Sequence, residues 1–203
     1  NGTVNQITGT RMADVVGSLT INNSGTASNN FVTLTDNNTT ATTFNIQAGI
    51  FRAGSGNTLR IAAGGTVNGS GGHVSTDVNG EGGTIQMLGA GNITGTPRLW
   101  IVAIGNSGTG VSFTNNAPIY HQCIIGSNGF VTNAPTYQSG STLIYRTNGT
   151  FARNVEWGNT AGLPGYPHHV TVDGNTIVDL FTNGITPATL AIGGNLQLGS
   201  SNG

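Results

Sequence analysis

The stretch TLRIAAGG, residues 58–65, decides how this chain folds. Apolar Leu59 and Ile61 alternate with polar neighbours, which is the two-residue period of a half-buried β-strand. A glycine pair closes the run, and the second glycine-rich bend, NGSGG, follows at residues 68–72. Bends with so few residues between them are typical of a chain that turns several corners in every coil. The stretch therefore predicts one coil of a parallel β-solenoid.

The same pattern of short apolar runs closed by Gly, Asn, Asp or Pro recurs along the chain, as in NFVTLTD (30–36), TFNIQAG (43–49) and TLAIGGNLQLG (189–199). Apolar positions at helical spacing are missing. We expect an all-β fold, a right-handed parallel β-helix (β-solenoid). An antiparallel β-sandwich is the alternative, because its strands alternate in the same way. Coils of about 20 to 25 residues predict about nine turns and a length of about 45 Å.

Composition restricts the class of protein. Of 203 residues, 34 are glycine, none is lysine and 6% are charged, against about 25% in ordinary globular domains. A formal net charge of −1 gives no basic surface for nucleic acid. The hydrophobic fraction of 35% predicts a folded chain rather than a disordered one. The single Cys123 allows no internal disulfide, and the longest apolar run, residues 99–104, is too short to span a bilayer.

Domain organisation follows from the repeat. We expect residues 1–203 to form a single solenoid module without internal boundaries. Neither terminus shows a capping segment that would cover the exposed strand edges of an open solenoid. We therefore expect a segment of a longer solenoid, with further coils of the same or a longer chain as its neighbours.

The C-terminal third carries a resemblance to known proteins. The segments are SGSTLIY (139–145), RNVEW (153–157), PGYPHHVTV (164–172) and TLAIGGNLQLG (189–199). They resemble β-helical modules of large secreted and cell-surface proteins of Bacteroidota that are exported by type IX secretion. This resemblance implies a β-helix that acts as a stalk or adhesive surface, followed by further coils and a sorting domain. It implies no catalytic residues.

Two groups of residues invite a metal hypothesis. Asp77, Asn79 and Glu81 in DVNGEGG alternate like the start of a calcium loop, so a single calcium ion is a hypothesis for them. The twelfth position of such a loop is Leu88 rather than a bidentate glutamate, and an acidic glycine-rich turn is the alternative. His168 and His169 are adjacent, so on a strand their side chains would point to opposite faces and could not share a metal. No other cofactor is expected.

Aromatic side chains are the candidates for ligand contact. Trp157 and Tyr166 lie close to the glycine-rich GNTAGLPG segment, where a projecting loop is expected, and His168 follows them. We predict carbohydrate contact for these three residues, because aromatic faces stack on sugars. Closing a corner over the core is the alternative role for such rings. Trp100, within an apolar run, is expected to be packed.

Two other functions compete with a purely structural one. Asp173 and Asp179 could serve as the acid pair of a polysaccharide hydrolase or lyase, which needs carboxylates within about 5 to 10 Å. The seven acidic residues are scattered, however, and Asp173 sits in a DG turn. Rows of threonine could bind ice or a crystal surface if T-x-T recurred at one place in every coil. The nearest pairs, Thr8 with Thr10 and Thr33 with Thr35, do not repeat at a fixed period.

The expected function is therefore non-enzymatic. We predict a structural stalk or adhesin segment of a secreted or cell-surface bacterial protein, able to contact surface carbohydrate. A charge-poor surface rich in Asn, Thr, Ser and Gly suits an extracellular or cell-surface location. Neither nucleic acid nor membrane insertion is expected.

Overall fold

The computed structural model describes residues 4–8, 12–25, 30–53, 57–70, 73–74, 83–105, 110–180 and 190–199. In these residues the regular structure is β-strand apart from a 3₁₀ turn at Thr114–Asn116. The strands are β1 (Gln6–Ile7), β2 (Val15–Asn22), β3 (Phe31–Leu34), β4 (Thr40–Ala48), β5 (Ile50–Ala53), β6 (Thr58–Gly69), β7 (His73–Val74), β8 (Thr84–Met87), β9 (Gly91–Gly95), β10 (Leu99–Ile104), β11 (Val111–Phe113), β12 (Pro118–Gly126), β13 (Val131–Asn133), β14 (Thr136–Tyr137), β15 (Thr142–Arg146), β16 (Thr150–Ala152), β17 (His169–Val172), β18 (Ile177–Asp179) and β19 (Leu196–Leu198).

Every strand pair in the described part of the chain is parallel. The strands stack as a β-solenoid of about 7 turns. The predicted parallel solenoid is confirmed, and the antiparallel sandwich is wrong, because a sandwich of that kind joins antiparallel neighbours through hairpins.

The opening stretch shows how a corner is made. The first part of β6, at Thr58 to Ile61, pairs with β8, while Thr66 to Gly69 pairs with β9. Between them, residues 62–65 turn the chain, and Gly64 takes a φ of +76°, in the left-handed region that favours glycine. The glycine pair identified in the sequence is therefore a corner of the coil.

Inward-facing side chains form one continuous apolar column. Strand register stacks residues of the same kind directly on one another, and nearly all of them are fully buried. One stack is Leu19, Phe44, Val67, Ile93 and Phe113. Another is Leu59, Ile85, Val102, Cys123, Leu143, Val170 and Leu196. Each fully buried aliphatic or phenyl side chain contributes about 1.5 to 3 kcal/mol, so this column is the main source of stability.

Coil length varies while register is kept. Bonded side chains on neighbouring coils are 25 residues apart at Thr20 and Asn45, 23 at Asn45 and Asn68, and 26 at Asn68 and Thr94. By strand register, later coils range from 17 residues, between Thr84 and Ile101, to 27 residues, between Thr142 and His169. These spacings lie on both sides of the expected 20 to 25 residues, and the turn number is about 7 rather than nine. At about 4.8 Å per turn the length is about 34 Å rather than about 45 Å.

The column is least covered in the coils nearest its two ends. The hydrophobic residues that pack on the core but stay partly exposed all lie there: Met12, Val16, Leu19 and Val32 in the first coils, and Val172, Val178, Leu180, Leu190 and Ile192 in the last. Within the described residues, no strand covers the outer edge of β2 or of β19. These two surfaces belong to the first and last coils of the described part of the solenoid.

Candidate functional site

The predicted calcium ligands Asp77, Asn79 and Glu81 lie outside the described residues. In the part of the chain that the structure describes, no three His, Cys, Asp or Glu side chains come close enough to hold a metal ion. The calcium hypothesis therefore stays a prediction.

Trp157 does not project from a loop, and the expectation that it does is corrected. Its side chain is only 6% exposed and belongs to the core cluster. The indole N–H donates to the Ala191 carbonyl oxygen at 3.1 Å, and the ring lies 6.1 Å from that of Tyr145. The segment folds back because burying an indole is strongly favourable once its N–H has an acceptor. Trp157 thus closes a corner, and its face is turned to the core.

Tyr166 and His168 remain nearer the surface. Tyr166 is half-buried, and its backbone N–H donates to the Leu163 carbonyl at 3.1 Å in a tight turn. His168 is also half-buried, and its Nδ1 is a buried atom without a hydrogen-bond partner. The three predicted contact residues are therefore not presented together: one is in the core and two flank a bend.

The two histidines lie together, contrary to the prediction of opposite faces. Their ring centroids are 4.4 Å apart and nearly perpendicular. The strand argument fails because His169 is the first residue of β17 and His168 still belongs to the preceding bend. The Nδ1 of His169 accepts the Asn195 backbone N–H at 2.9 Å, so this ring bonds one coil to the next.

The RNVEW segment surrounds a buried carboxylate. Glu156 is 0% exposed, and its Oε1 accepts the Tyr145 hydroxyl and the Asn154 backbone N–H, each at 2.9 Å. Its Oε2 also accepts the Asn154 N–H, at 3.1 Å. Burial raises the pKa of Glu156, while the Asn154 and Tyr145 hydrogen bonds and the nearby Arg153 partly offset this.

Arg153 holds the same turn from the other side. Its Nη1 donates to the Trp157 carbonyl at 2.5 Å and to the Asn154 carbonyl at 3.2 Å. We call Tyr145, Arg153, Asn154, Glu156 and Trp157 the Glu156 network. The members of this network bond one another or the backbone, so the network holds the turn against the column.

Cys123 is not a reactive thiol. It is fully buried within the apolar column. Burial raises the pKa of its thiol to about 12, with the Tyr137 hydroxyl lowering it and Glu156 raising it further. The thiolate that nucleophilic chemistry needs is therefore absent at neutral pH.

The acids proposed for a hydrolase lie on the last coils. Asp173 accepts a hydrogen bond from the Arg146 Nε at 2.7 Å, which ties it to the neighbouring coil. Asp179 ends β18, opposite Ala152 of β16. Of the acids near this region, Glu156 is shut inside the core, so it cannot act as a general acid toward an external sugar.

The outer side of the first coils carries two uncharged polar rows, which we call the polar face. Strand register aligns the members of each row from coil to coil. The first row is Ser18, Thr43, Thr66, Asn92, Ser112 and Asn133, and the second is Thr20, Asn45, Asn68 and Thr94. All ten side chains are exposed or half-buried. Neighbours along a row are about 4.8 Å apart, and the rows are about 7 Å apart.

The second row of the polar face is a hydrogen-bonded ladder. Asn45 Nδ2 donates to the Thr20 hydroxyl at 3.4 Å and Asn68 Nδ2 to Asn45 Oδ1 at 2.7 Å. The Thr94 hydroxyl donates to Asn68 Oδ1 at 2.5 Å. Four consecutive coils are thereby connected outside the core as well as inside, and the row is held in a fixed arrangement.

A second outward cluster contains aromatic rings, and we call Arg98, Trp100, Tyr120 and His121 the aromatic corner. The Trp100 and His121 rings are stacked with centroids 5.0 Å apart, and the Arg98 guanidinium lies 4.5 Å from the Tyr120 ring centre. The three rings are half-buried and Arg98 is exposed. Burial lowers the pKa of His121, which favours its uncharged imidazole. Trp100, expected to be packed, is half-buried, with its ring against that of His121.

No family model, no curated protein and no solved structure matches this chain. Among the described residues there is also no helix long and apolar enough to cross a membrane.

Sequence reasoning missed the aromatic corner and the polar face for different reasons. Trp100 follows the buried Leu99, and the register between β10 and β12 shifts at this point, with residues 119–122 of β12 opposite residues 99–101 of β10. A bulge of that kind has no reliable sequence signal. The polar face was invisible because its members recur at unequal spacings.

Proposed function

We propose that this chain is a non-enzymatic structural segment, a stalk or adhesin, of a secreted or cell-surface bacterial protein. The observation that carries the proposal is the unbroken apolar column within an all-parallel solenoid. Stacked parallel strands satisfy their backbone groups from coil to coil, so the assembly is stiff without many charged residues. The resemblance of residues 137–180 to surface modules of Bacteroidota supports the same role and location.

The described polar and titratable groups support a structural role. Glu156 and Cys123 are fully buried, Asp173 bonds a neighbouring coil, and His169 bonds the next one. Each of these groups holds coils or turns together. This arrangement favours the stalk or adhesin over the polysaccharide hydrolase.

Carbohydrate contact is assigned to the aromatic corner. Sugar rings stack on aromatic side chains through their C–H groups, and an uncharged Trp100 and His121 pair offers such surface beside the hydrogen-bond donors of Arg98. The Tyr166 and His168 bend is the other location, since both side chains are half-buried rather than closed into the core.

A glycan array with the complete chain tests the adhesin role. Binding of one glycan class is expected, and Trp100→Ala is expected to reduce it by at least about tenfold, the equivalent of about 1.4 kcal/mol. Tyr166→Ala is the matched control. If Tyr166→Ala loses glycan binding and Trp100→Ala keeps it, the binding site is at the Tyr166 and His168 bend. Silence across the array would remove the adhesive part and leave the stalk. Release of sugar reducing ends from a bound polysaccharide would overturn the non-enzymatic proposal.

A second candidate function is binding of ice or another crystalline surface. The observation in its favour is the register of the polar face, which aligns small uncharged side chains over up to six coils. The pairs across the two rows, such as Thr43 with Asn45 and Asn92 with Thr94, mix Thr with Ser and Asn rather than repeat T-x-T, so the regular spacing is what supports this candidate.

Thermal hysteresis and ice-crystal shaping test this second function. Thr66→Tyr places a bulky ring in the middle of the polar face and is expected to abolish both effects. Thr84→Tyr, an outward threonine on the other part of the sheet, is the matched control and is expected to change neither. A wild-type chain without hysteresis or crystal shaping would eliminate ice as the ligand.

A further inference from the structure

We propose that Asn148 is a site of spontaneous deamidation, at which the backbone nitrogen of Gly149 attacks the Asn148 side chain. The proposal concerns a covalent modification of the chain itself, and its co-reactant is water. It rests on the described fold and not on the stalk or adhesin role.

The chemistry needs an asparagine that is followed by a glycine. The Gly149 nitrogen loses its proton and forms a bond to Asn148 Cγ, while the Cγ–Nδ2 bond breaks and the NH₂ group leaves with that proton as ammonia. Water then opens the resulting succinimide ring at either carbonyl carbon, which yields aspartate or isoaspartate. The sequence is a substitution followed by a hydrolysis, so nothing is oxidised or reduced. Glycine favours the first step because it has no side chain to obstruct the attack.

Three Asn–Gly pairs fall within the described residues, at 68–69, 128–129 and 148–149. The pairs at residues 1–2, 79–80, 183–184 and 202–203 lie outside them. The three described pairs share one motif, so we expect the structure to set their relative rates. The reaction needs a side-chain amide that can move and a glycine N–H that no acceptor holds, since any such contact must open first.

Two of the three pairs are protected. The Asn68 amide lies on β6 and bonds side chains of both adjacent coils in the outer ladder. Asn128 is exposed, but the Gly129 N–H donates to the Gly126 carbonyl at 2.9 Å. Gly129 is also buried so tightly that an added Cβ would collide with the Ile104 carbonyl oxygen. Attack by the nitrogen of either glycine therefore requires established contacts to break.

The third pair has neither protection. Asn148 is exposed in the bend between β15 and β16, and its side-chain amide has no hydrogen-bond partner in the part of the chain that the structure describes. Within the same residues the Gly149 N–H has no acceptor. An added Cβ at Gly149 would meet nothing within 4 Å, so the nitrogen can be approached. Of the three described pairs, this one is the most ready to react.

Described residues flank this bend on both adjacent coils. The Ser127 hydroxyl donates to the Thr147 carbonyl at 2.9 Å from the preceding coil. On the following coil, Thr176 Oγ1 accepts the Thr147 N–H at 2.8 Å and the Asn148 N–H at 3.4 Å. These bonds do not involve the Asn148 side-chain amide or the Gly149 N–H. The bend is therefore fixed at Thr147, while the atoms that react stay accessible.

Isoaspartate at position 148 would alter a contact between coils. The Gly149 carbonyl accepts the Ile177 N–H and the Thr147 hydroxyl, each at 3.0 Å. An isoaspartyl residue has a longer main chain than aspartate, because the chain then passes through Cβ and Cγ, so this carbonyl shifts relative to β18. Faster hydrogen exchange at the Ile177 N–H is expected in the isoaspartyl product. Unchanged exchange there would contradict a loosened contact.

Incubation of the folded chain at mildly alkaline pH, followed by trypsin digestion and mass spectrometry, tests the site. Trypsin cleaves this lysine-free chain after arginine, so Asn148 falls in the peptide of residues 147–153 and Asn128 in that of residues 99–146. Asn148 should deamidate at least about tenfold faster than Asn128, equivalent to about 1.4 kcal/mol in activation free energy. Electron-transfer fragmentation identifies the modified residue, and both aspartate and isoaspartate are expected at Asn148.

Gly149→Ala is the matched variant. Gly149 lies outside the left-handed region and has open space for a Cβ, so the variant should keep the circular dichroism spectrum of the wild type. The added methyl group obstructs the attack, and deamidation at Asn148 should slow by at least about tenfold.

The same incubation in denaturant is the second control. The unfolded chain keeps the Asn–Gly motif but loses the hydrogen bond and the packing at Gly129. Asn148 and Asn128 should then deamidate at similar rates.

Three results would overturn the assignment. They are equal rates at Asn148 and Asn128 in the folded chain, a difference between them that persists undiminished in denaturant, and an unchanged rate at Asn148 in Gly149→Ala. None of these results touches the stalk or adhesin role, which the glycan array and the unfolding measurements examine separately.

Discussion

The first coils and the turn around Glu156 use hydrogen-bonding side chains in opposite places. In β2, β4 and β6 the inside is aliphatic or aromatic, and the side-chain ladder of Asn45 and Asn68 lies on the outer surface. In the Glu156 network a carboxylate, a guanidinium and a phenol are enclosed with the core. The two regions belong to the same solenoid, yet one is held by packing and the other by buried polar contacts.

This difference shows what a solenoid needs at a departure from regular stacking. Where a coil continues directly above the last one, strand register supplies every backbone partner. Where residues 153–168 leave the stack, backbone groups lose those partners, and Glu156 and Arg153 supply replacements at the Asn154 N–H and the Trp157 carbonyl. A packed apolar position accepts other apolar side chains of similar size, whereas a buried polar contact needs its particular donor and acceptor.

The largest expected effect tests the packed region. Phe44 is 0% exposed and its ring meets that of Phe51 at 4.8 Å, so Phe44→Ala should lower the free energy of unfolding by about 4 kcal/mol. Thr43→Ala, on the outward side of the same strand, should change it by less than about 1 kcal/mol. Denaturant titration measures both. Equal losses would mean that the column is not the main source of stability.

A somewhat smaller loss is expected in the polar region. Glu156→Ala leaves the Tyr145 hydroxyl and the Asn154 N–H buried without their acceptor, which should cost about 3 kcal/mol. Asp14→Ala, at an exposed acid, is the control and should be nearly neutral. If the two alanine variants unfold at the same denaturant concentration, the Glu156 network does not stabilise the turn.

Dependence on pH separates the two regions further. The folded-state pKa of Glu156 is raised above 4.5, so its stabilising contribution is fully present below the unfolded-state pKa and is lost as pH rises through the folded-state pKa. In Glu156→Gln the amide oxygen can still accept the hydrogen bonds from the Tyr145 hydroxyl and the Asn154 N–H, and the side chain does not ionise.

The free energy of unfolding of the wild type should therefore fall relative to that of Glu156→Gln as the pH rises from the acid side. Parallel pH profiles for the two proteins would contradict a buried carboxylate of raised pKa. Phe44→Ala should leave the shape of the wild-type profile unchanged.

The smallest effect concerns the outer ladder. Asn68 donates to Asn45 and accepts from Thr94, so Asn68→Ala should cost about 1 kcal/mol. Asn92→Ala, in the first row of the polar face, is the matched outward asparagine and should cost less. A larger loss from Asn92→Ala would show that the rows are stabilised by something other than the ladder.

Much of the fold could be predicted from the sequence because strand alternation and corner glycines are local signals. Leu59, Ile61, Phe44 and Ile46 are inside as the two-residue period requires, and residues 64–65 turn a corner. The number of turns could not be predicted, since coil length depends on how far each corner bulges before the register resumes.

The sites were harder to predict because they depend on register and on turns. The polar face joins Ser18, Thr43 and Thr66 only once unequal coils are aligned. The position of Trp157 depends on residues 153–168 folding back over the column, which no local pattern encodes. His168 and His169 meet because a strand begins between them, and strand boundaries are the least certain feature of a sequence prediction.

The unequal coils have a consequence for how such chains evolve. Gly140 and Gly174 lie in exposed turns with φ of +80° and +57°, where nothing stands within 4 Å of an added Cβ, so extra residues in these turns would extend into solvent rather than into the stacked strands. Insertions and deletions then accumulate at the corners while the aliphatic positions persist. Relatives of this chain would share no fixed period, and they should be recognised by matching inward positions coil by coil rather than by aligning residues at constant spacing.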